Sequence, residues 1–133
     1  MINNRNKNKL ALIGIGYWGK IYANYLEKSK KFNLTHIYFK TNNPINFIKS
    51  KFGKILTNDL EKIIKDNSIQ FINIVTPIKS HSYLVEKFLH KKKILVEKPL
   101  LMSSQQRKKF EKNKKKITVS YPYLYSPTLN VAK

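Results

Sequence analysis

Between residues 9 and 19 the chain reads KLALIGIGYWG. An apolar run over residues 9–15 meets three glycines, Gly14, Gly16 and Gly19, and a helical pattern follows over residues 18–30. Ile21, Tyr22, Tyr25 and Leu26 read as the inward face of that helix. No other feature limits the fold as much. A strand that ends in G-x-G-x-x-G and opens a helix is the first βα turn of a parallel sheet, and each glycine has its own task there. Gly14 permits the tight turn, Gly16 lets backbone approach a diphosphate, and Gly19 lets the helix close on the strand. Free N–H groups and the positive end of the helix dipole then face the diphosphate. Glycine-rich turns are also common as purely structural corners. The place of this one, after a strand and before a helix, favours a dinucleotide cradle with Tyr17 and Trp18 at its lip. Trp18 reads as a core aromatic, a cofactor neighbour, or both.

The remainder alternates strand and helix. Strands are predicted over residues 34–39, 54–56, 69–75, 94–96 and 117–119. Helices are predicted from Asn43-Pro44 to about Phe52, closed by Gly53; from a cap at Thr57, Asn58 or Asp59 to Lys65; from a cap at Ser80 to His90, with Tyr83, Leu84, Phe88 and Leu89 inward; and over residues 103–114. Such alternation with short connections calls for a parallel sheet covered on both faces. The expected class is α/β, a Rossmann-type doubly wound sheet over residues 1–120. Residues 121–133 form an exit segment that holds Pro122, Pro127, Tyr121, Tyr123 and Tyr125.

A chain of 133 residues supports one ordinary domain. It has no cysteine, which excludes disulfides, thiolate metal sites and cysteine nucleophiles. No run approaches about 18 apolar residues and residues 1–8 lack a signal-peptide core, so a cytoplasmic protein without membrane contact is expected. The net charge of +20 invites a nucleic-acid reading. Yet 25 of the 27 basic residues are lysine, and 16 isoleucines and 14 asparagines accompany them. All three have A/T-rich codons, and the arginine fork that suits phosphate and base edges is nearly absent. Composition bias is the preferred explanation, with only non-specific nucleic-acid binding expected.

The G-x-G-x-x-G pattern usually continues with an acid at the end of the second strand, bonded to a ribose 2′-hydroxyl. Here that place holds Phe39-Lys40-Thr41, with no carboxylate between Glu27 and Asp59. The coenzyme is NAD or NADP; Lys40 and Thr41 as receivers of a 2′-phosphate favour NADP, against the plainer reading of Lys40 as a surface lysine.

Two further segments carry a family resemblance. Ile74-Val75-Thr76-Pro77-Ile78-Lys79-Ser80-His81 precedes a helix, and Ile94-Leu95-Val96-Glu97-Lys98-Pro99-Leu100 follows it. With the glycine turn, this resembles the Gfo/Idh/MocA oxidoreductases, whose members carry T-P-x-x-x-H and E-K-P at the ends of successive strands. The Tyr17-Trp18 pair and VSYPYLYSP over residues 119–127 are most similar to the branch acting on nucleotide-linked sugars. The resemblance implies that Thr76 and Pro77 border the cofactor, that His81 lies near the nicotinamide ribose, and that Glu97 and Lys98 stand beside the nicotinamide. Lys98 becomes the catalytic residue, a buried lysine that hydrogen-bonds the reacting oxygen and stabilises charge there. Pro99 fixes its turn and is a candidate for a cis bond. The plainer alternatives are a helix-start role for His81 and a strand-end ion pair for Glu97 and Lys98. His36 and His90 fit no motif.

Two departures from the family stand out. Lys91 replaces the glycine common at that helix end, which leaves the cap geometry open. The family's second, α+β domain is missing, along with its histidine, since all three histidines precede Lys98. A truncated chain is expected. It is the nucleotide-binding half of an NAD(P)-dependent enzyme transferring hydride to or from a sugar- or cyclitol-type substrate, if a second domain completes it. The alternatives are a non-catalytic cofactor-binding module that needs a partner chain and a basic nucleic-acid-binding protein.

Overall fold

The structure is a computed structural model that describes residues 7–40 and 46–121. Thr41, the predicted helix start at Asn43-Pro44 and exit-segment residues 122–133 lie outside the described residues. The strands are β1 (Asn8–Ile13), β2 (Phe32–Tyr38), β3 (Leu56–Thr57), β4 (Phe71–Ile74), β5 (Lys93–Glu97) and β6 (Ile117–Ser120). The helices are α1 (Tyr17–Glu27), α2 (Asn46–Phe52), α3 (Leu60–Lys65), α4 (His81–Phe88) and α5 (Ser104–Lys112). All strand pairs are parallel and the order is β3-β2-β1-β4-β5-β6, the doubly wound arrangement expected. The winding reverses between β1 and β4.

Strand alternation divides the core in two. Ala11, Ile13, Ile72, Ile74, Ile94 and Val96 point to one face and pack with Ile63 of α3, Val85 and Phe88 of α4 and Phe110 of α5. Leu12, Ile37 and Val75 point to the other and pack with Ala23 of α1 and Ile48 and Phe52 of α2. Leu34 joins this second core although it stands three residues from Ile37, an odd spacing that puts the two on opposite faces of a regular strand. A register shift resolves this: Leu10 pairs with Leu34 but Ala11 pairs with His36, so Thr35 is the extra residue of a bulge.

Several local expectations are corrected. Ile21 and Tyr25 are exposed, whereas Leu26 is buried and Tyr22 is half-buried against the core as expected, and α1 adds Gly19 and Ala23 to its inward side. Gly19 and Ala23, small residues four apart, let the helix lie close to the sheet. Tyr83 is also exposed, with the Lys87 ammonium 5.5 Å from its ring centre. Gly53 begins a 3-10 turn and has no positive φ, so it is not a left-handed cap, and β3 starts only at Leu56. Lys91 needs no positive φ either: its N–H and that of Lys92 both return to the Phe88 carbonyl, at 3.2 and 3.1 Å. The buried Lys92 ammonium then donates to the carbonyls of Asp66 and Ile69.

On the α1 face, β4, β5 and β6 carry no helix across them among the described residues. A groove of about 770 Å³ remains there, with Phe71, Asn73, Leu95 and Thr118 on its floor and Tyr22 and Leu26 along one wall.

Candidate functional site

The glycine turn sits at the carboxyl edge of the sheet, at the winding reversal. Its N–H at Gly14 donates to Tyr38 at 2.9 Å, and Val75 donates to Ile13 at 2.9 Å, so the ends of β2, β1 and β4 meet here. Gly14 has φ +111°, and a Cβ there would stand 2.9 Å from the Val75 carbonyl oxygen and 3.1 Å from the Thr76 methyl. A Cβ at Gly19 would run into the Gly14 carbonyl, whose carbon would be 2.9 Å away. Both glycines are therefore demanded by the fold. Gly16 is not: a Cβ there meets nothing within 4 Å, and its φ of −64° suits any residue. The space above it is open, as a cradle for a ligand requires.

Helix α1 begins without a side-chain cap, and Lys20 is the first whose N–H bonds back, to Gly16 at 3.1 Å. The preceding N–H groups are left for water or an anion, at the positive end of the helix. Tyr17 and Trp18 stand over this end as an edge-to-face pair with ring centres 5.6 Å apart. Trp18 is 52% exposed, so it is not a core aromatic. Lys40, exposed, follows β2 on the same edge.

Thr76 and Pro77 leave β4 beside Gly14. Ser80, expected as a side-chain cap, makes no capping bond. Its hydroxyl lies 2.7 Å from both the Thr76 hydroxyl and the Pro77 carbonyl, because a 3-10 turn over Ile78–Ser80 precedes α4 and brings Ser80 back over its own loop. His81 is fully buried. Its Nε2 is 2.7 Å from the Thr76 carbonyl oxygen and its Nδ1 is 3.1 Å from that of Pro99.

Glu97 ends β5 and accepts a hydrogen bond from the Tyr22 hydroxyl at 3.0 Å, with Ser120 Oγ 3.5 Å from the same phenol. Burial, followed by the Glu97 carboxylate, pushes the Tyr22 phenol above its ordinary range, while the Ser120 contact opposes them. Sequence reasoning took Tyr22 only as part of a helix face; nothing in the spacing announces a partner 75 residues away. Glu97 and Lys98 do not form the plainer ion pair. Lys98 is exposed rather than buried as expected, because the strand ends at Glu97 and the next residue projects past the sheet edge. The Lys98-Pro99 bond is cis.

The three motifs thus form one contiguous structure: Gly14 against Thr76, Thr76 through His81 to Pro99, and Glu97 back to α1 through Tyr22. Residues 8–121 match the oxidoreductase family GFO_IDH_MocA, described as an NAD-binding Rossmann fold. The chain belongs to the Gfo/Idh/MocA oxidoreductase family. An uncharacterized oxidoreductase of Streptococcus pneumoniae is 26% identical over 98 residues, which are 73% of this chain and 26% of that protein. GenD2 of gentamicin A biosynthesis, solved with NAD, superposes with a TM-score of 0.82 at 20% identity over 98% of this chain and 39% of its own. The scyllo-inositol dehydrogenase of Lactobacillus casei, solved with NAD(H) and scyllo-inositol, gives 0.81 at 19% identity over 95% and 39%. The chain therefore spans about a quarter of the Streptococcus pneumoniae relative and two-fifths of these structures, whose likeness establishes the shared fold.

Proposed function

We propose that this chain is the coenzyme-binding half of an NAD(P)-dependent oxidoreductase acting on a sugar- or cyclitol-type hydroxyl or carbonyl. The carrying observation is the contrast among the three glycines: the fold requires Gly14 and Gly19, while among the described residues nothing fills the room over Gly16, which supports a ligand cradle there. Backbone N–H groups at the start of α1 hold the diphosphate, and Tyr17, Trp18, Thr76 and Pro77 border the coenzyme. Lys40 meets the adenosine ribose; a cation in place of the usual acid favours NADP over NAD. The nicotinamide supplies a hydride donor or acceptor when bound. Lys98, exposed and bonded to no other side chain among the described residues, donates a hydrogen bond to the substrate oxygen and stabilises the charge that grows there. Glu97, held by Tyr22, lines the same end of β5. The cyclitol class is supported by the substrate bound in the Lactobacillus casei relative.

Titration with NADPH and NADH, followed by coenzyme fluorescence, tests this reading. Saturable binding is expected, tighter for NADPH. Gly16→Asp is expected to abolish it with the folded circular-dichroism spectrum kept, whereas Gly19→Ala loses stability by about 3 kcal/mol through overpacking. A folded protein that leaves both coenzymes unbound, or a Gly16→Asp variant that binds like the parent, overturns it. The exposed Lys98 and the chain's 26–39% share of its relatives favour, as the second reading, a coenzyme module whose turnover needs a second domain or chain. Activity of the 133-residue chain alone on cyclitols would dismiss that second reading.

A further inference from the structure

Building on that coenzyme site, we propose that His81 is a positioning residue that locks the Lys98-Pro99 turn to the Thr76-Pro77 turn, so that both walls of the cleft keep one separation. The last ladder pair between β4 and β5 is Ile74 with Val96. Beyond it the strands end and their turns leave the sheet, Thr76 on one side and Lys98 on the other. No backbone bond joins these turns among the described residues; the His81 ring does, with Nε2 2.7 Å from the Thr76 oxygen and Nδ1 3.1 Å from the Pro99 oxygen.

Three features make the ring a rigid link. It is 1% exposed, so water does not compete for either carbonyl. It belongs to the first turn of α4, whose Leu84, Val85 and Phe88 anchor the helix in the core. It is planar with its two nitrogens on opposite flanks, so shifting one turn against the other lengthens a bond. A neutral ring donates from one nitrogen only, and a ring with two protons donates from both. Both partners are carbonyl oxygens, which only accept, so it is the ring with a proton on each nitrogen that donates to both turns. The Ser80 hydroxyl, 2.7 Å from both Thr76 Oγ1 and the Pro77 carbonyl, braces the same loop from its outer side. Lys98 itself touches none of these groups. Its direction is inherited from Pro99, whose carbonyl the histidine holds.

His81→Phe keeps the ring's bulk and removes both nitrogens, while His81→Gln keeps an amide that donates twice. Each variant of the 133-residue chain is to be compared with the parent by urea unfolding, by NMR relaxation dispersion of the free protein, and by NADPH and NADH titration with Lys98 followed as a 13C-methylated amine. The Lys98 signal is assigned by its loss in Lys98→Arg. For folded His81→Phe the link predicts new microsecond-to-millisecond exchange at residues 76–78 and 98–100 together. It also predicts coenzyme binding weaker by about tenfold, the scale of one buried hydrogen bond, and a diminished Lys98 response to coenzyme. His81→Gln is expected to recover part of each effect. A folded His81→Phe with quiet turns overturns the link, as does loss of stability alone with the Lys98 response intact. Should His81→Phe fail to fold, His81→Gln decides: parent-like quiet turns with Lys98 responding support the link, and exchange at both turns despite the retained donors overturns it. If the parent binds neither coenzyme, the coenzyme site fails as a reading, and the dispersion experiment on the free protein still decides the link.

Discussion

His36 lies on β2 beside the bulge at Thr35, with its Nδ1 3.2 Å from the Thr35 hydroxyl. Burial is the main cause that draws its pKa below the usual histidine value, the Lys62 and Lys9 charges act in the same sense, and Asp66 opposes them. The sign of the effect on stability follows from which state binds the proton. With the folded pKa depressed, the unfolded chain takes up protons first as pH falls through about 6.5, so stability declines from there down to the folded pKa and is unaffected above. His36→Gln should flatten the urea midpoint over that window. A midpoint whose slope between pH 6.5 and 5 is the same in both proteins would show the residue to be solvated in solution. Asp66 and Glu86 act in a separate window. Hydrogen bonds from Ser68 and Lys109 lower their carboxyl pKa values, so their contributions are lost only as pH falls into the acid range. Among single residues, the sequence displayed those whose role is local. Gly14, Gly16 and Gly19 announce themselves by spacing, and Glu97-Lys98-Pro99 by order. Lys92 was one lysine in a run of three, and its burial against two carbonyls depends on where α3 ends and β4 begins, which no local pattern encodes.

The charged helix α5 shows how an element with little apolar content is held. Among its residues only Phe110 reaches the core. Its start is fixed by a reciprocal cap: Gln106 N–H donates to Ser103 Oγ at 3.2 Å, and Ser103 N–H donates to Gln106 Oε1 at 3.0 Å. Its side is pinned by Lys109 to Glu86 of α4 at 2.7 Å, a surface pair that contributes little alone. Ser103→Ala is therefore expected to cost about 1 kcal/mol in urea unfolding, and Ser103→Asp to recover most of it. Equal midpoints for all three would show that the cap is not formed in solution. The existence of α5 and the other elements was legible because strand runs and helix periods differ in length and composition. The inward faces were less so. In α1 the sequence offers tyrosines and isoleucine at helical spacing, and hydrophobicity alone chooses them. The structure keeps Leu26 inward as read, but sets Gly19 and Ala23 beside it and leaves Ile21 and Tyr25 outside, because Gly19 lies against the Gly14 carbonyl and distance, not apolarity, decides which side faces inward. The bulge at Thr35 was unreadable for a similar reason: its sign is the shared core of Leu34 and Ile37, which appears only once β1 lies alongside.

At the scale of the whole molecule, charge and site make separate demands. The net charge of +20 resides almost wholly in lysines, and those of the described residues are spread over all five helices, β1, β5 and the connecting turns. Lys28, Lys30, Lys31, Lys93, Lys115 and Lys116 rim the open groove at the amino end of the strands. The glycine turn lies at the opposite, carboxyl edge, and brings backbone N–H groups rather than lysines to its anion. A duplex DNA therefore meets the molecule as a diffuse cation, whereas in the proposed function the coenzyme meets the fixed dipoles of one turn. Binding through six or more phosphates should weaken by about a thousandfold or more between 50 and 200 mM salt, since released counterions drive it. Coenzyme affinity, with two or three phosphate groups against fixed dipoles, should change far less over the same range. The decisive cross-check is Gly16→Asp. One added carboxylate in the turn should eliminate NADPH binding and leave DNA binding at 50 mM salt within about twofold of the parent, because it removes one charge in twenty. If DNA instead competes with NADPH for one site and both are lost together, the basic surface and the glycine turn form a single polyanion site, and the lysines are then part of the binding surface rather than a product of base composition.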